Sequence, residues 1–215
     1  RYFDSLPAGR YVRTAADLPA ATLDRITRQI LPAVEHTPII VFHLRPGVMF
    51  HDGHVLDAAD VRFTYESIMN PRNLSPRAAD YVPVITVVVL DPLTVKIVYK
   101  RLYSPAFATW YMGILPQHLL NDEVLKAEAQ RLGKDPATFS MRHSSFNRRP
   151  IGCGPFVFRE WKSDQFIRLD RFDDYWEGPA NYRRYVYRII PDLLTQEMEF
   201  YAGTVDNYAV QPHQV

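Results

Sequence analysis

Between Val41 and Val61 the sequence reads VFHLRPGVMFHDGHVLDAADV, and few folds accommodate that order of signals. Val41, Phe42 and Leu44 suit a pleated, half-buried surface, so the stretch opens as a strand. Pro46-Gly47 turns it, because Pro presets φ and Gly accepts positive φ. A second short extended run ends at another turn, Asp52-Gly53. Asp57 then offers an N-cap, with Asp60 three residues on to reach back as in a capping box. Strand, turn, strand, turn and helix within 21 residues points to hairpins and flanking helices, not to long βαβ units.

The rest of the chain keeps that character. Val84–Leu90 and Thr94–Lys100 are β-branched runs separated by Asp91-Pro92-Leu93, which predicts a hairpin. Phe156–Lys162 and Phe166–Arg171 flank Ser163-Asp164 and predict a second. Further strands are expected at Tyr185–Ile190 and Val205–Val210. Helices are expected over Ala20–Val34 (Leu23, Ile26, Ile30 and Leu31 at helical spacing), Ala58–Asn70, Pro105–Met112, Pro116–Leu120, Asp122–Leu132 behind the cap Asn121, and Leu193–Ala202 before Gly203. In Ala58–Asn70 the apolar face is Ala58, Val61, Tyr65, Ile68 and Met69. Residues 71–83 and 134–150 read as loops. The expected fold class is α+β, with a mixed β-sheet, hairpins and flanking helices. Residues 1–37 read as an N-terminal arm and helix, and 38–215 as the main body.

Charge and composition narrow the function. Twenty-five Lys and Arg against 24 Asp and Glu leave a net charge of +1, which gives no general attraction to nucleic acid or an anionic membrane. No reading helix or basic patch favours a nucleic-acid regulator. The single cysteine, Cys153, allows no internal disulfide, a usage that suits the cytosol without excluding the periplasm. No apolar run approaches the roughly 18 residues a membrane span needs. The start at Arg1 reads as a processed or cut boundary without a signal peptide, and the ending VDNYAVQPHQV reads as interrupted.

Several residues invite a catalytic reading. His51, His54 and Asp57 could serve a small metal-dependent hydrolase. Against it, Asp52-Gly53 is a natural turn, Asp57 a natural cap, and the stretch changes element midway, so the ligands do not converge in sequence. Gly152-Cys153-Gly154-Pro155 places a thiol in a tight turn, but no positioned His base accompanies it. Tyr175-Trp176 reads as a packed aromatic corner, and Arg148-Arg149 and Arg183-Arg184 as solvated faces. No cofactor motif is present: G-x-x-x-x-G-K-[ST] does not occur.

Four stretches, in order over roughly 165 residues, resemble one family. They are FHLRPGVMFHDG followed by LDAADVRFTYE; IGCGPF; RFDDYWEG; and Gly203-Thr204-Val205-Asp206 after Ile189 and Asp192. Together they resemble the family 5 extracellular solute-binding proteins, the receptors of oligopeptide, dipeptide and nickel ABC importers. That family reads roughly F-x-L-R-x-G-V-x-F-x-D-G, a Thr-Ala-Glu-Asp-Val helix start, G-T-G-P-Y/F, R-N-x-x-Y-W and G-E-x-D. Here Asp57-Ala58-Ala59-Asp60 replaces Thr-Ala-Glu-Asp, Cys153 replaces Thr, Phe172 replaces Asn and Thr204 replaces Glu.

The resemblance implies a type II periplasmic-binding-protein fold, with residues 38–215 as a fragment of its first lobe and the second lobe absent. It implies a non-enzymatic receptor in the periplasm or on the outer face of the cell membrane. Its expected partners are a peptide or similar small solute, an ABC importer permease and the second lobe of the full-length chain; it is expected to be a monomer, with no nucleic-acid partner and no cofactor. The segment after G-E-x-D lines the cleft in this family, which makes Asn207, Tyr208 and Gln211 the expected solute contacts, with Tyr81 from the loop after the first helix. A chain holding one lobe is expected to bind weakly or not at all.

Overall fold

The computed structural model describes residues 19, 21, 22, 25 and 37–210. Of the helix expected over Ala20–Val34, only Ala21, Thr22 and Arg25 are described, and they are helical; the rest lies outside the described residues, as does Gln211. In chain order the elements are β1 (Ile39–His43), α1 (Ala58–Met69), α2 (Ala78–Tyr81), β2 (Val84–Asp91), β3 (Thr94–Tyr99), α3 (Gln117–Leu120), α4 (Asp122–Arg131), β4 (Phe156–Lys162), β5 (Phe166–Arg171), β6 (Arg184–Arg188) and α5 (Leu193–Tyr201). The chain divides into two compact units, Arg1–Leu44 with Val61–Met112, and Arg45–Asp60 with Gly113–Val215.

The first unit is built on a three-stranded sheet in the order β1-β3-β2. Both pairs are antiparallel, with Phe42 opposite Val95 and Val87 opposite Ile97. Alternation puts Val87, Val95 and Ile97 on the buried face, while Ile39, Val41 and Val88 are exposed on the other. Each fully buried aliphatic side chain contributes roughly 1.5–3 kcal/mol. The rest of this core is aromatic. The Trp110 ring stands 5.4 Å from Tyr81 and 6.2 Å from Tyr65 and Phe42, and its indole N–H donates to the Tyr99 hydroxyl at 2.8 Å. Burial of the Tyr99 hydroxyl is satisfied in turn by donation to the Ala106 carbonyl at 3.0 Å.

The second unit carries the other sheet, β4-β5-β6, again antiparallel throughout. The β4–β5 hairpin has the expected bounds; Asp164 in its turn takes φ +60°, a conformation Asp tolerates. Phe50, Leu56, Leu120, Leu125 and Ala129 are buried in this unit. Asn121 caps α4 as expected, accepting from the backbone N–H groups of Glu123 and Val124.

The α+β expectation holds, with two separate antiparallel sheets among the described strands where a mixed sheet was expected. Other differences have local causes. Val205–Val210 is not a strand, because no described strand offers it a ladder. Pro105–Met112 forms only a 3-10 turn at Ala108–Trp110, and the loop 71–83 contains a 3-10 turn at Pro71–Asn73 and the short α2. Residues 134–150 hold two more such turns, Met141–His143 and Ser145–Arg148. In α1 the buried residues are Ala58, Asp60, Val61, Thr64 and Ser67; of the expected apolar face Ala58 and Val61 are buried, and Tyr65, Ile68 and Met69 are only half-buried. The buried face is thus rotated from the apolar one and takes in the Asp60 carboxylate.

Candidate functional site

That carboxylate shows how the opening stretch is built. Asp57 Oδ1 accepts from the N–H groups of Ala59 at 2.7 Å and Asp60 at 3.3 Å, and Asp60 Oδ2 accepts from Asp57 N–H at 3.1 Å. This is the capping box expected from the spacing. Asp60 Oδ1 also accepts from the Gln117 N–H at 2.9 Å, and the residue is 3% exposed. A buried carboxylate is tolerable only with such hydrogen bonds. Upstream, Met49 and Val55 form an antiparallel bridge around the Asp52-Gly53 turn, where Gly53 takes φ +86° and donates its N–H to the Phe50 carbonyl at 2.9 Å.

His51 joins this stretch to the glycine turn. Its backbone N–H donates to Gly152 O at 2.8 Å. Its Nδ1 accepts from Gly152 N–H at 3.2 Å, which leaves Nε2 as the protonated nitrogen, 2.9 Å from Gly154 O. The ring edge meets Phe172 at 5.0 Å between centroids, and Phe172 N–H donates to Pro155 O at 2.9 Å. Phe172, where the resembling family has Asn, thus fills the space beside an imidazole. The Arg45 guanidinium lies 4.4 Å over the Trp176 ring, which is tilted against Tyr175 at 5.4 Å. The Arg45–Asp60 part of the first motif and the second and third motifs therefore converge within one unit, as packing and backbone hydrogen bonds.

The hydrolase reading loses its residues to these roles. Both ring nitrogens of His51 are engaged, and Asp57 Oδ1 is bound to the helix N-terminus. His54 is stacked on His118, 3.9 Å between ring centroids. Among the described residues no three His, Cys, Asp or Glu side chains gather as metal ligands. His118, which the sequence did not single out, donates from Nε2 to Asp52 Oδ2 at 2.7 Å. Burial raises the Asp52 carboxyl, but the His118 hydrogen bond and the His54 backbone N–H outweigh it and hold the group below its usual range. Burial pushes the Cys153 thiol up, and the nearby Asp60 charge adds to it, the opposite of what a nucleophile needs.

The expected solute contacts fare differently from one another. Tyr81 is 0% exposed, and its hydroxyl donates to the Thr109 carbonyl at 2.5 Å beside the Met112 sulfur at 3.0 Å. It is a core residue of the first unit and presents no surface for a solute. Asn207 is exposed and Tyr208 half-buried, both in the second unit, in the irregular segment after α5. The Tyr208 ring packs on Phe200 at 4.9 Å.

Sequence reasoning missed two exposed apolar surfaces. Leu102, Phe107 and Tyr111 stand out from the first unit, Tyr111 at 86% exposure. Leu193, Leu194, Met198 and Tyr201 stand out from α5 in the second. The Leu193-Leu194 and Phe200-Tyr201 doublets were the available signal, since adjacent apolar residues on a helix cannot share one narrow face. An open cleft of about 700 Å3 in the second unit is lined by Asp170, Arg171, Asp173, Arg183 and Arg184. Its charges are largely paired: Arg184 with Asp170 at 3.1 Å and Arg171 with Asp173 at 2.7 Å. Of the pairs expected on solvated faces, Arg148 lies 4.4 Å over the Trp161 ring.

Comparison with known proteins agrees with the converging motifs. Residues 36–215 match the family described as Bacterial extracellular solute-binding proteins, family 5 Middle. The oligopeptide-binding protein AppA of Bacillus subtilis (strain 168) is 33% identical over 172 residues, 78% of this chain and 29% of that protein. Heme-binding protein A of Haemophilus influenzae is 30% identical over 184 residues, 77% of this chain and 31% of that protein. Among solved structures, NikZ from Campylobacter jejuni in complex with Ni(L-His) superposes with a TM-score of 0.67 at 28% identity, over 78% of this chain and 31% of that one. AppA from Bacillus subtilis in complex with a nonapeptide gives 0.63 at 30% identity, over 78% and 31%. The chain therefore spans about 30% of the length of the relatives it matches. These relatives bear the names of solute receptors, not of enzymes, and their type II periplasmic-binding-protein fold is shared here. No helix among the described residues is long and apolar enough to cross a membrane. On its motifs, its fold and the match over residues 36–215, the chain belongs to the bacterial extracellular solute-binding proteins of family 5.

Proposed function

We propose that this chain is part of the substrate-binding component of an ABC importer, most of the first of two lobes that close on a peptide or similar small solute. The observation that carries the reading is the family match over residues 36–215, together with 33% identity to an oligopeptide-binding protein. Residues 38–215 are the lobe fragment. The receptor acts in the periplasm or on the outer face of the cell membrane, as a monomer that delivers solute to a permease, and it is not an enzyme. Solute stabilises the closed state by its higher affinity for it. Asn207 and Gln211 hold the solute main chain with strand-like hydrogen bonds, and Tyr208 offers a hydroxyl beside them. Tyr81 acts only indirectly, as a packing residue in the core of the first unit.

Calorimetry tests this with a mixture of tri- to nonapeptides. The full-length protein carrying this stretch is expected to bind the mixture, and the 215-residue chain alone to give no heat, because half of the cleft wall is elsewhere. Micromolar binding by the isolated chain would overturn the two-lobe argument, and absence of binding by the full-length protein would overturn the peptide reading.

A further inference from the structure

We propose that Arg188, Glu199 and Thr204 are positioning residues for the solute-contacting segment Val205–Val210. The inference rests on the proposed receptor function for its consequence, and on the geometry around the end of α5 for its substance.

Val205–Val210 pairs with no described strand. The leading end is fixed by the way α5 stops. Gly203 takes φ +71° and donates its N–H to Phe200 O at 2.9 Å, while Thr204 N–H donates to Glu199 O at 2.9 Å. This pair of bonds is the Schellman stop, which reverses the chain at a helix C-terminus. Here it is reinforced by side chains. Arg188 on β6 grips the Glu199 carboxylate with both arms, Nη1 to Oε2 at 2.6 Å and Nη2 to Oε1 at 3.1 Å. Its Nη1 also reaches the Thr204 carbonyl at 3.5 Å. The Thr204 hydroxyl lies 2.9 Å from Glu199 O and in close contact with Glu199 Oε2. Thr204 is thus held through its N–H, its hydroxyl and its carbonyl. Four residues later the Tyr208 ring rests on Phe200, one residue along the helix from Glu199.

Thr204 and Tyr208 both bear on α5, and Asn207 is exposed between them. A bidentate guanidinium–carboxylate pair fixes direction as well as distance, which a Lys pair would not. The Arg188 hydrogen bonds, then that of Thr204, hold the Glu199 carboxyl below its usual range, and Glu199 raises Arg188 in return. The clamp also explains a departure from the family pattern: the resembling motif has Glu at position 204, and a carboxylate there would face Glu199. Thr supplies a hydroxyl that donates to it.

The test uses the full-length protein with Thr204→Val, Thr204→Ser and Glu199→Gln, read by hydrogen exchange of the 203–210 backbone and by calorimetry with the tri- to nonapeptide mixture. Thr204→Val and Glu199→Gln are expected to speed exchange roughly tenfold and to weaken peptide binding by a similar factor. Thr204→Ser keeps the hydroxyl and is expected to behave as the unaltered protein. The melting temperature should move by no more than about 2 °C, since the pair is exposed. Unchanged exchange in both loosening variants would overturn the clamp. Faster exchange with unchanged affinity would overturn its positioning role. If the unaltered protein does not bind the mixture, the receptor reading fails by itself and exchange alone decides whether the clamp exists.

Discussion

His51 carries two hydrogen bonds that a turn of glycines could not otherwise obtain. Gly152 and Gly154 have no side chains to hold their loop, and the imidazole spans both, accepting at Nδ1 and donating at Nε2. An alanine at 51 would leave the Gly152 N–H and the Gly154 carbonyl without these partners and open a gap beside Phe172. His51→Ala should cost about 2 kcal/mol of stability, measured by urea denaturation. An unchanged midpoint would show that the ring is incidental. Composition alone made His51 look like a metal ligand; its role depends on a partner 101 residues away, which local sequence cannot display. Tyr81 went the same way. Its hydroxyl suits a solute, but only the fold shows it committed to Thr109.

The helices and hairpins were the most legible parts, because their causes are local. Asp57 with Asp60, Asn121 before α4, and the Asp91-Pro92 and Ser163-Asp164 turns each act within a few residues and mark the boundaries found. Val205–Val210 looked like a strand on composition and is not one, since a strand exists only with a neighbour to pair with. The α4 region offers a test in acid. Burial raises the Glu128 carboxyl, but the hydroxyls of Ser145 and Ser144, the Ser145 N–H and the Arg131 charge together hold it below its ordinary value near 4.5. A depressed carboxyl stabilises the fold fully above its unfolded-state value and loses that contribution as pH falls through the lower folded value. Stability should therefore drop below about pH 4.5, and Glu128→Gln should flatten that part of the profile. An equally steep profile in the variant would assign the loss to other carboxylates, such as Asp52 and Asp170, which are also held low.

For the molecule as a whole, family membership was readable because four short motifs survive in order, each tied to a turn, a cap or an aromatic corner. The convergence of three of them in space was not readable, since it joins residues about 100 positions apart. Nor was the exposed apolar face of α5, whose meaning depends on what packs there. The His51 bridge also has a consequence in time. The hairpins β2–β3 and β4–β5 close short loops and form on a microsecond scale, whereas the bridge from His51 to Gly152 must wait for a long, entropically costly closure. It should be absent from the rate-limiting barrier to folding. His51→Ala is then expected to accelerate unfolding while leaving the refolding limb of a chevron plot nearly unmoved. Slower refolding would place the bridge in the nucleus. On this ordering, the residue that stitches the motifs together sets how long the native state lasts, not how quickly it is reached.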